Sequence, residues 1–358
     1  MIFFSAARAL FIFTALVCLF PARARAGEKL FFQESYIVKG SALIPECYSP
    51  SLVRLPDGTL ACAWAAGSGR MALDTSIKLS FSRAGEDPWT EPVTVADDDG
   101  YADNYPVLTL LPGDRLRLFY ATYYREKRKV PPGANWAAWH LKYCDSGDLG
   151  RIWGGDFFLI PESGRIPCGS TADLANGHIL LPVTDFRHKV PSFLISEDKG
   201  GYWKDAARIP EAEGLADPAV VELEPGRILA MLRPDEKSDR EKVLQSTEST
   251  DNGLTWSRPQ PTEFKNPSGP VALLSLGRGR LVMAWNDHEL WLTPMTLALS
   301  RDNGKTWPYR RNLETGKWDI REPSLAVTED GHIHLVYVSR NIYLKHIEVN
   351  EAWIMGNK

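Results

Sequence analysis

The chain has 358 residues, 44% hydrophobic and 24% charged, enough for a large buried core in one big domain or two ordinary ones. Lys and Arg total 41 against 45 Asp and Glu, and the resulting net charge of −4 gives no reason to expect a nucleic-acid or anionic-membrane partner.

The first 26 residues stand apart. Arg8 precedes an apolar run, ALFIFTALVCLF, and then PARARA ends in the small-x-small triplet Ala24-Arg25-Ala26. This pattern predicts a cleaved secretory signal peptide and a secreted or periplasmic mature chain, residues 27–358. No later segment reaches the ~20 apolar residues that a membrane span needs. Removing the signal leaves Cys47, Cys62, Cys144 and Cys168, which are expected to be mostly buried thiols with one disulfide allowed. Their spacing holds no metal-ligand pattern, so neither metal nor cofactor is expected.

From residue 51 onward one unit recurs: an extended apolar stretch, a glycine turn and a second apolar stretch. The segments are SLVRLPDGTLACAW, PVLTLLPGDRLRLFY, TADLANGHILLPV, AVVELEPGRILAMLR, VALLSLGRGRLVMAW and SLAVTEDGHIHLVYV, with turn glycines at Gly58, Gly113, Gly177, Gly226, Gly279 and Gly331. Six hairpins at a near-constant period predict an all-β, six-bladed β-propeller with little helix. Residues 27–40 or the strand YLKHIEV, 343–349, are expected to close the ring. A ring without free sheet edges needs no partner, so a monomer is expected.

After four of these hairpins comes a second repeat: SGDLGRIW at 146–153, SEDKGGYW at 196–203, STDNGLTW at 249–256 and SRDNGKTW at 300–307, with SRAGEDPW at 82–89 as a decayed copy. Asp suits backbone N–H groups, Gly suits a positive φ, and Trp suits packing into the blade. Trp153, Trp203, Trp256 and Trp307 are therefore expected to be buried far from the axis, and Asp148, Asp198, Asp251 and Asp302 to be turn residues.

These boxes are similar to the Asp-boxes of bacterial neuraminidases, and with six hairpins the mature chain resembles the sialidase superfamily of six-bladed propellers. The resemblance implies a glycan substrate and an exo-acting glycoside hydrolase. Members of that superfamily hold the sugar carboxylate with three arginines, use a Glu-assisted Tyr as nucleophile, and take an acid from a first-blade loop. By position, Asp217 stands for the assisting Glu, Arg233 is kept, and Asp74 matches the acid. Tyr48 occupies the place of the first arginine and Glu322 that of the nucleophilic Tyr. No arginine stands near Leu292 for the third.

The loops entering each innermost strand and leaving each second strand meet on one face. The residues proposed as catalytic are thus Asp74, Asp217 and Glu322, paired carboxylates being what glycosidic cleavage needs. Arg70, Arg233, Arg321, Tyr48, Asp103 and Tyr105 are proposed to bind sugar, arginines for anionic groups and aromatics for C–H faces. All five of Asp74, Asp217, Arg233, Arg321 and Glu322 are expected in one central pocket. Two other readings stay open. A non-catalytic carbohydrate-binding propeller would use Tyr48, Tyr105, Tyr123, Tyr124 and Trp291. A polysaccharide lyase would draw its base from His140, Tyr143, His188 or His288.

Overall fold

A computed structural model describes residues 29–40, 46–83, 88–124, 138–206 and 208–356. The signal segment 1–26, the centre of the decayed box and most of the loop at 121–129 lie outside the described residues. Among those described, strands form six sheets arranged as blades.

In chain order, β1 (Phe32–Val38) precedes blade one, made of β2 (Glu46–Arg54), β3 (Thr59–Gly67), β4 (Ser76–Arg83) and β5 (Val93–Ala96). Blade two holds β6 (Ala102–Leu111), β7 (Arg115–Tyr123), β8 (Trp139–Ser146) and β9 (Phe157–Phe158). Blade three holds β10 (Arg165–Pro167), β11 (Ala172–Asp173), β12 (Ile179–Asp185), β13 (Val190–Ser196) and β14 (Lys204–Asp205). Blade four holds β15 (Leu215–Glu224), β16 (Arg227–Pro234), β17 (Val243–Ser249) and β18 (Gln260–Lys265). Blade five holds β19 (Ala272–Gly277), β20 (Arg280–Asn286), β21 (Met295–Ser300) and β22 (Tyr309–Glu314). Blade six holds β23 (Ile320–Val327), β24 (Ile333–Ser339), β25 (Tyr343–Val349) and, outermost, β1. One short helix, α1 (Glu351–Met355), follows.

All six predicted turn glycines have positive φ, from 74° at Gly279 to 89° at Gly331, as a tight hairpin requires. Blade three departs from the pattern. Its innermost strand is split into β10 and β11, both paired with β12. Both segments expected to close the ring do so together, because β1 lies along β25 from Phe32↔Val349 to Val38↔Leu344. No helix among the described residues is long and apolar enough to cross a membrane.

The second strands read as nearly continuous apolar runs because both faces are covered. In Thr59–Gly67 every residue after the first is buried. Interblade clusters follow, such as Met231 and Leu244 from blade four against Met283 and Trp285 from blade five.

The boxes fold alike. Ser146 Oγ donates to Asp148 at 2.7 Å and accepts the Gly150 N–H at 2.7 Å, while Asp148 accepts the Ile152 N–H at 2.8 Å. The same bonds recur around Asp198, Asp251 and Asp302. These donated bonds hold the carboxyls of Asp148 and Asp198 below the ordinary carboxylate range, the Ile152 and Tyr202 amides contributing most. The box glycine lets the turn press on the preceding blade: a Cβ at Gly200 would meet Leu111 at 2.9 Å.

Trp203, Trp256 and Trp307 are 4, 7 and 6% exposed, as expected. Each packs on an aromatic of the preceding blade: Trp203 on Phe119, Trp256 stacked on Phe193 at 4.5 Å, Trp307 against Phe264. Trp153 differs and is only half-buried. No ring contact of this kind is found for it among the described residues, and it packs only at the edge of the cluster that holds Leu79 and Leu118.

No disulfide forms. Cys47, Cys62 and Cys144 are buried thiols, and burial pushes Cys144 up to about 12. Cys168 is half-buried, and burial followed by the nearby Asp217 raises its thiol well above the ordinary value.

Ring closure is reinforced by a buried polar chain. Ser35 of β1 meets His346 Nδ1 at 3.2 Å, His346 Nε2 meets His334 Nδ1 at 3.0 Å, and His334 Nε2 meets the Thr328 hydroxyl at 3.1 Å. The two imidazoles stack at 5.2 Å, and burial depresses them to about 3 for His334 and about 4 for His346.

Replacing Trp256 with Ala should cost about 3–5 kcal/mol in urea unfolding, the range for large aromatic truncation. Unchanged unfolding would refute its role as an interblade wedge. The histidine pair gives a second expectation. Because both folded-state values lie below the ordinary 6.5, this contribution is complete above pH 6.5 and is lost as pH falls toward 4 and 3. Stability should therefore drop by up to about 1.4 kcal/mol per pH unit per histidine in that window. His346→Gln should flatten the decline, read as unfolding free energy from pH 7 to 4.

Candidate functional site

The openings of the innermost strands share a local conformation. Ser49, Tyr105, Asp217 and Glu322 each precede a proline and each has positive φ, at 49°, 56°, 48° and 60°. Ladder register slips at these places in β2, β6, β15 and β23. Blade five has Ser268 at 76°, two residues before Pro270, and blade three has Gly169 at 62°. Non-glycine residues with positive φ are uncommon and costly, and a bulge re-aims a side chain. Bonds between blades follow from it.

Glu322 of blade six accepts the Ser49 N–H of blade one at 2.7 Å and forms an ion pair with Arg70, also of blade one. Arg70 lies 4.6 Å above the Tyr48 ring and 5.9 Å from the Tyr105 ring, and its carbonyl accepts from Asn104 at 2.7 Å. Burial opposes the Arg70 charge, but Glu322 and Tyr105 outweigh it and raise its pKa above the ordinary value. Tyr105 is raised as well, by burial first, with Asp217 and Glu322 adding and Arg70 opposing. Tyr105 therefore feels both carboxylates. Asp217 accepts Arg233 Nε at 2.6 Å and the Thr184 hydroxyl of blade three at 2.9 Å, with Cys168 beside it.

Blades one, two and six thus meet around Arg70 and Glu322, blades three and four meet around Asp217, and the charge of both carboxylates reaches Tyr105. The groups of this cluster are reachable: the Glu322, Asp217, Arg233 and Arg70 side chains are 12, 17, 18 and 28% exposed. They offer two carboxylates, each beside a guanidinium, and a phenol that keeps its proton at neutral pH.

The remaining nominated residues are placed differently. Asp74 accepts the Ser68 N–H at 3.1 Å and its hydroxyl at 3.0 Å, bracing the loop that presents Arg70. Arg321 turns away from Glu322 and pairs with Asp319. Asp103 is fully buried, accepting the Thr122 hydroxyl and the Asp98 N–H, and burial raises it to about 6. It lies near a second charged group, in which the buried Lys142 pairs with the half-buried Asp98 and the exposed Asp156. His188 is bound to Asp185, His288 accepts the Leu290 and Trp291 amides, and Tyr143 is capped by Arg117 at 4.1 Å.

Ser49, Asn104, Thr184 and Cys168 were missed as partners of the cluster. The dipeptides Ser49-Pro50, Tyr105-Pro106, Asp217-Pro218 and Glu322-Pro323 were the available signal. No group of three or more potential metal ligands occurs among the described residues.

Residues 58–335 match the BNR repeat-like domain family. A sialidase of Micromonospora viridifaciens is 26% identical over 168 residues, covering 45% of this chain and 25% of that protein, so the match spans a quarter of the relative. A Hadza microbial sialidase superposes with TM-score 0.76 at 15% identity, covering 90% of this chain and 69% of the other. A protein of unknown function from Dyadobacter fermentans does so with TM-score 0.74 at 18% identity, covering 89 and 99%. NanB sialidase from Streptococcus pneumoniae gives 0.72 at 14%, covering 88 and 70%. With its six blades, its serine-aspartate-glycine-tryptophan turns and this match over most of its length, the chain belongs to the BNR repeat-like family and has the sialidase propeller fold.

Proposed function

We propose that the protein is a secreted, monomeric exo-acting glycoside hydrolase that removes a terminal sugar from a glycan. The observation that carries this reading is the axial cluster, in which the left-handed Glu322 and Asp217 open two innermost strands, each beside a guanidinium, and both raise the pKa of Tyr105. Strain of this kind persists where surrounding structure over-determines it, and it concentrates at functional sites.

In this reading the sugar ring lies over the cluster. Glu322, oriented by the Ser49 amide and Arg70, faces the anomeric carbon as nucleophile or base. Asp74, which braces the loop of Arg70 through Ser68, protonates the leaving oxygen only after it swings off Ser68 toward the sugar. Asp217 and Arg233 fix charge and hydrogen bonds opposite Glu322. Tyr105, its pKa raised, donates a hydrogen bond to a hydroxyl or carboxylate and does not act as an anionic nucleophile. Arg70 and Arg233 suit an acidic or hydroxyl-rich sugar.

One observation favours a binding module as second reading. Both carboxylates are already neutralised by guanidinium partners, and Tyr48 stands where the superfamily places an arginine. A binder needs no mobile proton.

Turnover of aryl glycosides, including sialosides, uronides and deoxysugars, tests the first reading. Glu322→Gln keeps an acceptor for the Ser49 N–H and removes the charge, so activity should fall about 10²–10⁴-fold with the melting temperature retained. Full activity in that variant would remove Glu322 from the chemistry. A purified chain that retains a glycan, releases no sugar and binds equally well as Glu322→Gln would support the binding module.

A further inference from the structure

The turn leaving the second strand of blade six carries an arginine where the backbone disfavours one. Between β24 and β25, Arg340 and Asn341 have φ of 57° and 62°. Two consecutive left-handed residues in a short hairpin loop favour Asn, Asp or Gly. Asn341 suits its place; Arg340, like Lys189, Lys199 and Arg278 at other turns, holds a strained left-handed backbone, and its contacts set it apart.

The turn is pinned on both sides. The Arg340 N–H donates to the Asp319 carbonyl at 3.0 Å, and the Cys47 N–H of blade one donates to the Asn341 carbonyl at 2.5 Å. The exposed guanidinium lies 3.6 Å from the centre of the Trp318 ring and 5.9 Å from that of Tyr343. Trp318 comes from the loop entering β23 and is itself 46% exposed. A stacked guanidinium keeps its donor edge free and loses little freedom on binding. Among the described residues, no carboxylate or carbonyl accepts from the Arg340 side chain.

The neighbouring charges cancel in pairs: Arg70 with Glu322, and Arg321 with Asp319. Among the described residues, Arg340 and the exposed Lys317 have no carboxylate partner. Ser339 pairs with Ile320, so Arg340 stands about three strand residues from Glu322, roughly 10 Å. One or two pyranose rings bridge that distance.

We propose that Arg340, held on Trp318, is an oxyanion subsite that recognises a carboxylate or sulfate ester on the sugar unit next to the one over the axial cluster. The proposal rests on the glycan reading above and narrows it to acidic glycans. Planar donor pairs of Arg fit both oxyanions, whereas Lys offers only a point charge and cannot stack in the same way.

Titration calorimetry at low salt tests it with oligosaccharides of chondroitin sulfate, their desulfated forms, and their desulfated, carboxyl-reduced forms. The wild type should bind at least one charged form about tenfold or more tighter than the fully neutral form. The desulfated arm tells sulfate from carboxylate recognition. Arg340→Ala should abolish the preference, Trp318→Ala should weaken it, and Arg340→Lys should restore only part of it, with unchanged melting temperatures. Rising salt should reduce the wild-type preference. Equal affinity for charged and neutral forms, no binding of either, or a preference surviving in Arg340→Ala would overturn the proposal. Failure of the hydrolase reading shows separately, as absent turnover of aryl glycosides in the wild type.

Discussion

At the mouth of each innermost strand the chain must turn a side chain out of the sheet and toward the axis without ending the ladder. It does so with one left-handed residue followed, in four blades, by proline. The cost is on the order of 1–3 kcal/mol at each non-glycine position, and it is offset by the ladder resuming beyond the bulge and by bonds between blades. Ser49 lends its amide to Glu322, and Thr184 lends its hydroxyl to Asp217, because these kinks bring different blades within hydrogen-bond reach. Blade three is the exception that shows the constraint. Its left-handed residue is Gly169, where a Cβ would approach the Pro218 carbonyl at 3.2 Å, so it contributes backbone and the neighbouring Cys168 thiol in place of a projecting side chain.

The charges at the axis are arranged as pairs. Glu322 with Arg70 and Asp217 with Arg233 each compensate the desolvation that the other alone would suffer. Tyr105 lies near Arg70, and the charges of both carboxylates raise its pKa further after burial. Such an arrangement is nearly neutral overall yet strongly polarised, which suits a sugar whose hydroxyls need both donors and acceptors. Arg340, two strands out from the axis on the same face, extends the positive side of that pattern without a compensating carboxylate.

Stability is placed elsewhere. The serine-aspartate-glycine turns and their tryptophans lie at the rim, where Trp203, Trp256 and Trp307 wedge blades three, four and five against their predecessors. The β1 strand and the Ser35–His346–His334–Thr328 chain close the ring. Strain at the axis is tolerated because these distant contacts hold the blades in register.

The six hairpins, the turn glycines and the boxes were legible in the sequence because each is a local requirement: two-residue periodicity, positive φ, and an Asp able to accept nearby amides. Hairpin count also places Glu322, Asp217, Arg233, Arg70 and Tyr105 at strand openings and exits of one face, whereas Tyr48, expected there as a sugar-binding ring, is buried in the core beneath Arg70. Tertiary structure alone decided who pairs with whom. Arg321 is adjacent to Glu322 in the chain, but strand alternation and the bulge send it to Asp319, while the distant Arg70 takes its place. Asp103, one residue from the bulge, is drawn into the blade interior by Thr122 and Asp98. Trp153 keeps the box motif but not the burial, because burial depends on what the preceding blade offers. Local backbone chemistry is written in neighbouring residues; partners across blades depend on distances that ring closure sets.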